Sequence, residues 1–411
     1  MRNRWLARCL VAPAILASAG LGVAQPSPVL PERGDLVPQF RAIGLEPRSQ
    51  GGRDTCSLFA VTALADFECA RNASPPSPRL SVEYLIWAAN EATGLKGDQA
   101  MFYEEVHGLN ALGICAGDLM PYEKSADGAR RPSAAALADA KGRSARWRCR
   151  WIKRWDLKVP LGDAELLAIK DALAQGHPVA CGLRWPKAMK GHELLEVPAP
   201  DQVFDGHSIA FVGYEDDAKK PGGGFFRFRN SAGPRWGDGG HGVMSYAYAR
   251  AFANDALWLQ SGPPGSEAPA ERLEAESMDV LAREQCDTRP QEMAAWGGPM
   301  WSGGRQLFCG ARPDGFVELG FQARTTGRKR LRVLATAAPD FGRVRVSLDG
   351  RALDPVFDLY AGRICPAGSL ELGTHDLAEG PHRIRFTSVG RSDASAGGFF
   401  GIDALDLLDA K

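Results

Sequence analysis

From Cys56 onward the apolar residues recur at helical spacing. Ala60, Leu64 and Phe67 fall at i, i+4 and i+7, and Pro75-Pro76 closes the segment. A second helix is predicted from Ser81 as N-cap through Tyr84, Leu85, Ile86 and Ala89. A third runs from Asp163 through Leu166, Leu167, Ile169 and Leu173, with Gly176 as its stop. The period then changes: residues 178–183, 208–212 and 224–228 are rich in branched and aromatic side chains and read as strands. Helices first and strands later predict an α+β unit of two halves. Residues 261–270, SGPPGSEAPA, form a linker by composition. Beyond it Val344, Val346 and Leu348 alternate with Arg345 and Ser347 before an Asp349-Gly350 turn, and Ile384 and Phe386 alternate with Arg383, Arg385 and Thr387. Short strands with glycine turns predict an all-β sandwich or jelly roll.

Bulk properties narrow the picture. A chain of 411 residues is too long for one ordinary core, so two domains are expected. The formal charge is zero, with 49 basic and 49 acidic residues, which argues against nucleic acid or an anionic membrane as a general partner. Arg2, Arg4 and Arg8 precede a short apolar run, Cys9 to Ala17, broken by Pro13, and Gly22-Val23-Ala24 suits cleavage before Gln25. Residues 1–24 therefore read as a signal peptide. The expected location is secreted or periplasmic, with no stable membrane insertion after cleavage. Export permits disulfides, but the eight later cysteines do not reveal a connectivity. They also lack metal-ligand spacing, so neither a metal nor another cofactor is expected.

Against that background one set of residues carries chemistry. Gln50 sits six residues before Cys56, and Cys56 opens the first helix. His207 follows in Asp205-Gly206-His207-Ser208, and Asn230 in Arg229-Asn230-Ser231. A thiol of ordinary pKa, about 8.5, is mostly protonated at neutral pH. A helix N-terminus and a neighbouring imidazolium would both stabilise the thiolate. Asn230 would orient that imidazole, and Gln50 would donate to a developing oxyanion together with the Cys56 N–H. A lone cysteine at a helix start is usually a buried structural residue, and a lone histidine on an apolar strand likewise. The conjunction of Gln50, Cys56, His207 and Asn230 with the Trp236-Gly237 turn points to thiol chemistry.

From about residue 34 to 255 the chain resembles papain-like cysteine peptidases of the bacterial branch. The matching residues are Gln50 and Cys56, Phe59-Ala60, Leu80-Ser81, Pro121-Tyr122, His207 with Val212-Gly213-Tyr214, Asn230-Ser231, Trp236-Gly237 and Gly240. The resemblance implies a two-lobed domain with a helical half and a β-barrel-like half. It also implies hydrolysis of protein or peptide substrates through a thioester, with Cys56, His207, Asn230 and Gln50 as the catalytic set. Departures are Arg53-Asp54-Thr55 before the nucleophile, Ser57 after it, and Ala232 where the family carries an aromatic that shields the Asn–His hydrogen bond. An insertion is expected at 185–203. The expected layout is an N-terminal extension at 25–45, a peptidase domain at 46–260, a linker at 261–270 and a β-sandwich at 271–411.

That last region resembles galactose-binding-like jelly rolls, including carbohydrate-binding modules that open with Glu-Ala-Glu, here Glu274-Ala275-Glu276. A glycan or cell surface is its candidate partner, with Trp296, Trp301, Phe399 and Phe400 either stacking on sugars or filling the core. Other residues are expected to be structural: Cys115 as a buried or disulfide cysteine near His107, His241 in place of an aromatic, Arg53 and Asp54 as a solvated loop pair, and His375 and His382 without evident partners. Two alternatives stay open: a cell-wall peptidoglycan amidase or endopeptidase with a Cys-His site, and an inactive binding protein of the same fold.

Overall fold

In the computed structural model the described residues are 30–71, 73, 77–189 and 193–410, so the expected signal peptide and Pro75-Pro76 lie outside them. Residues from Pro31 onward form one compact unit. Among the described residues there are seven α-helices: α1 (Val37–Ala42), α2 (Cys56–Ala70), α3 (Val82–Thr93), α4 (Phe102–Leu112), α5 (Ala134–Lys141), α6 (Asp163–Ala174) and α7 (Tyr246–Phe252). The mixed α and β content matches the α+β expectation.

The helix at Cys56 begins where the sequence places it, but it is buried on nearly every side, not along a single stripe. A helix apolar all round belongs inside a core. Its two buried carboxylates are paired. Asp66 accepts from Arg48 Nη2 at 3.0 Å and from the Leu80 amide at 2.6 Å. Glu68 meets His177 Nδ1 at 2.8 Å. The helix α3 starts on a side-chain cap, Ser81 Oγ accepting the Tyr84 N–H at 2.9 Å, and stops at Gly94 in the left-handed region.

The first sheet comprises β1 (Arg33–Asp35), β2 (Trp147–Lys153), β3 (Val179–Pro186), β4 (Leu194–Leu195), β5 (Val203–Asp216), β6 (Gly224–Arg229), β7 (His241–Ser245) and β8 (Ala253–Ser261). Its order is β2-β8-β3-β5-β6-β7-β4, with β1 added beside β5. All pairs are antiparallel except β4 with β7. The described part of the expected N-terminal extension packs into the fold. Leu36, Val37, Phe40 and Leu45 are buried, and Phe40 stacks on Phe67 of α2 with ring centroids 4.3 Å apart. Burying four large apolar groups is what draws this segment into the fold.

From Glu271–Glu274 to Phe400–Asp409 the chain forms ten strands in antiparallel pairs. Their apolar faces make a separate core that also takes in Tyr103 from α4. Trp301 and Phe400 belong to this core and are unavailable for stacking on a sugar. Trp301 instead donates its indole N–H to Thr336 Oγ1 at 2.7 Å. Trp296 remains exposed. His382 bonds Asp349 at 2.7 Å and His375 bonds the Leu372 carbonyl at 2.8 Å, so both have partners that the sequence did not suggest.

The expected linker is clamped. Glu267 is buried and pairs with Arg148, Arg330 and Arg332 at 2.8, 2.6 and 3.1 Å. Arg148 lies on β2, whereas Arg330 and Arg332 belong to the C-terminal strand Gly327–Ala337, so one carboxylate ties the two halves. Composition marks a break in secondary structure; it does not register this electrostatic tie.

Candidate active site

Cys56 is the first residue of α2, so its N–H belongs to the turn that has no intrahelical acceptor. The N-cap, Thr55, does not cap the helix with its side chain. Its Oγ1 is engaged instead with the Tyr122 hydroxyl at 2.7 Å. The amides of the first turn are thereby left to act on the sulfur and on whatever lies beside it. The backbone amides of Ser208 and Ser57 act on the Cys56 thiol in the direction that favours the thiolate.

His207 stands on β5, directly after Gly206, whose φ of 101° is one that residues with a Cβ rarely adopt. Its Nε2 lies 2.9 Å from Asn230 Oδ1, and the same Oδ1 accepts the Ser231 amide N–H at 2.8 Å. A backbone amide can only donate, so the atom facing it is the carbonyl oxygen. The proton on His207 therefore sits on Nε2, leaving Nδ1 as the basic nitrogen. Asn230 is buried. The aromatic absent at Ala232 is supplied from another element: Trp185 of β3 packs on His207 with centroids 4.4 Å apart, and Trp236 flanks Trp185.

Gln50 is held on both sides. Its Nε2 donates to the Arg53 carbonyl at 2.7 Å, and its Oε1 accepts from the Ser231 hydroxyl. Its backbone N–H donates to Ser231 O at 2.8 Å, and its carbonyl accepts from Tyr122 at 2.9 Å. One N–H of the side-chain amide remains beyond the bond to Arg53. Ser231 thus links the loop of Gln50 to the residue next to Asn230.

Gln50, Cys56 and His207 line one cavity of about 760 Å³, with Asn230 behind the histidine. Burial pushes the Cys56 thiol up and the His207 imidazole down. Both directions favour the uncharged pair, thiol with neutral imidazole, over the ion pair that the helix dipole and an imidazolium would favour. Desolvation is the larger influence on each group.

The cavity wall also holds residues that the sequence did not single out. Asp255 of β8 is buried, with its carboxyl pushed up to about 7 by desolvation. Its Oδ1 accepts the Gly182 N–H at 3.0 Å, and a Cβ on Gly182 would lie 2.3 Å from that oxygen, so only glycine fits there. Glu105 of α4 lies behind this wall and does not line the cavity; it is wholly buried, its charge acts on Cys56, and desolvation raises its pKa well above the ordinary carboxyl range. Glu104, Trp155 and Arg363 complete the far wall. These positions come from separate elements and carry no common spacing, so only the folded chain assembles them.

Arg53 is not part of a solvated pair. It is buried, with Nη1 on Glu83 at 2.7 Å, Nη2 on Asp98 at 2.7 Å, and its guanidinium over Tyr122. Replacing Arg53 by Ala would leave Glu83 buried without a countercharge, a loss of about 3–5 kcal/mol. Chemical denaturation should show this as a lower midpoint at unchanged slope. Cys115 is buried as a free thiol in a separate cluster, His107 lines a different cavity, and His241 is buried with Nδ1 3.3 Å from the Asp238 carbonyl. None of these joins the Cys56 cavity.

No protein-family model and no curated protein matches this chain. Solved structures similar to it include xylellain, a cysteine protease from Xylella fastidiosa, at 22% identity over 57% of this chain and 87% of that one, with a TM-score of 0.47. The digestive procathepsin L 3 of Tenebrio molitor larval midgut is similar at 20% identity over 58% and 72%, with a TM-score of 0.44. The bromelain protease of Ananas comosus is similar at 15% identity over 57% and 100%, with a TM-score of 0.42.

Proposed function

We propose that this protein is an exported cysteine peptidase, and that residues 271–411 form an accessory β-sandwich. The observation that carries the reading is the fixed tautomer of His207. Nε2 is bound to Asn230 Oδ1, Nδ1 is the basic nitrogen, and the ring lines the same cavity as a thiol at a helix N-terminus. In the proposed reaction Nδ1 accepts the Cys56 proton as the sulfur attacks a peptide carbonyl carbon. The carbonyl oxygen becomes an oxyanion facing the Cys56 N–H and the remaining Gln50 N–H. The imidazolium then gives its proton to the departing amine, and the C–N bond breaks to leave a thioester. Water, deprotonated by the same nitrogen, hydrolyses the thioester and restores the thiol.

The test compares casein and neutral quenched peptides with purified peptidoglycan, using Cys56→Ala protein as control. Hydrolysis of the peptides, with covalent capture of a thiol-reactive epoxide on Cys56, is the expected result. Solubilisation of peptidoglycan without cleavage of casein would move the assignment to a cell-wall amidase. An unreactive Cys56 with no hydrolysis of either would leave only a binding role.

A further inference from the structure

We propose that Arg363, carried by the C-terminal half, selects a substrate residue bearing a carboxylate in the cavity of Cys56; the inference rests on the peptidase reading and names its substrate class. Arg363 lines that cavity together with Cys56 and His207. Its guanidinium lies over two rings, Tyr103 with Cζ 5.7 Å from the centroid and Trp155 at 5.6 Å. Among the described residues no hydrogen-bond or ion-pair partner engages it. Stacking uses the faces of a guanidinium and leaves its five edge N–H donors, which match a carboxylate in bidentate fashion.

Each carboxylate on the wall already accepts a hydrogen bond from the protein. A Glu104 carboxylate oxygen accepts the Met101 N–H at 2.7 Å, and Arg363 acts on it only through its field. Asp255 accepts from Gly182, and Asp54 accepts from Gln99 Nε2 at 3.1 Å. The donor surplus of the cavity therefore lies at Arg363.

The loop that presents Arg363 is fixed against the first half of the chain. The Gly362 N–H donates to Trp155 O at 3.0 Å, and the Tyr360 hydroxyl bonds the Asp156 carboxylate. Arg154 donates to the carbonyls of Asp358 and Ala367, each at 2.8 Å. A charge held this way is preorganised, so little ordering is needed when a substrate arrives. The C-terminal half is then a wall of the substrate site as well as an appended module.

The experiment is a positional scan. Neutral quenched peptides each receive one Asp or Glu, compared with Asn, Gln or Lys at the same place. Wild type should favour the acid at one position by on the order of ten- to a hundred-fold in kcat/KM. The ratio should fall to near unity in Arg363→Gln, persist in part in Arg363→Lys, and turn toward Lys in Arg363→Glu. Thermal unfolding of each variant checks its fold. The same peptides are titrated calorimetrically into Cys56→Ala protein and into the Cys56→Ala, Arg363→Gln double variant. An acid preference in binding that depends on Arg363, without hydrolysis by wild type, would overturn the peptidase reading and leave Arg363 standing. An unchanged acid-to-amide ratio in Arg363→Gln, a wild-type preference for Lys, or no acid preference in either measurement overturns the role of Arg363.

Discussion

Cys56→Ala protein is expected to lose at least about 10⁴-fold in kcat and to take up no epoxide, because the proposed reaction loses its nucleophile and its acyl carrier together. His207→Ala should lose a similar factor, and the double variant little more, since the two groups act as one unit. Wild-type kcat/KM should follow a broad bell. Its acid limb reports protonation of His207, which burial displaces below the ordinary imidazole value of about 6.5. Its basic limb reports loss of the last proton from the thiol–imidazole pair. Burial of Cys56 displaces that loss above the ordinary thiol value of about 8.5. Activity should therefore hold from mildly acidic to alkaline pH. A limb that closes inside the 6.5–8.5 interval would contradict the desolvated site described here.

The second large effect is expected at Gln50. In the proposed reaction Gln50→Ala removes one oxyanion donor, worth about 10²–10³ in kcat. It also frees the Arg53 carbonyl and the Ser231 hydroxyl, both now bonded to the Gln50 amide. Two comparisons separate the contributions. Gln50→Glu preserves the acceptor toward Ser231 but places a charge where an anion develops, so it should be no better than Gln50→Ala. Ser231→Ala removes only the support, and should lower kcat less than Gln50→Ala while leaving epoxide labelling of Cys56 intact. Equal kcat in wild type and Gln50→Ala would remove Gln50 from the oxyanion site.

Much of the local structure was legible in the sequence. The start of α2, the Ser81 cap, the helix from Asp163 and the strands at 179, 208 and 224 follow from periodicity and capping chemistry, which act over a few residues. Alternation in 344–348 and 383–387 likewise matched observed strands. Less legible were α4, α5 and the strands β2, β7 and β8, whose residues are set by long-range pairing. Sequence alone also misassigned Arg53 to solvent, because its partners Glu83 and Asp98 lie 30 and 45 residues away.

The candidate site divides along the same line. Residue type and order singled out Gln50, Cys56, His207 and Asn230 as candidates, since a thiol, a base, an amide carbonyl and an amide donor are what acyl transfer needs. Only the tertiary structure decided which nitrogen of His207 carries the proton, that Trp185 covers the ring that Ala232 cannot, and that burial opposes the helix dipole at Cys56. It also decided that Arg363 reaches the same cavity from the C-terminal half. The reason is physical: chemical type and local period are properties of neighbours along the chain. Desolvation, ring contacts and unpaired donors depend on which distant segments pack together.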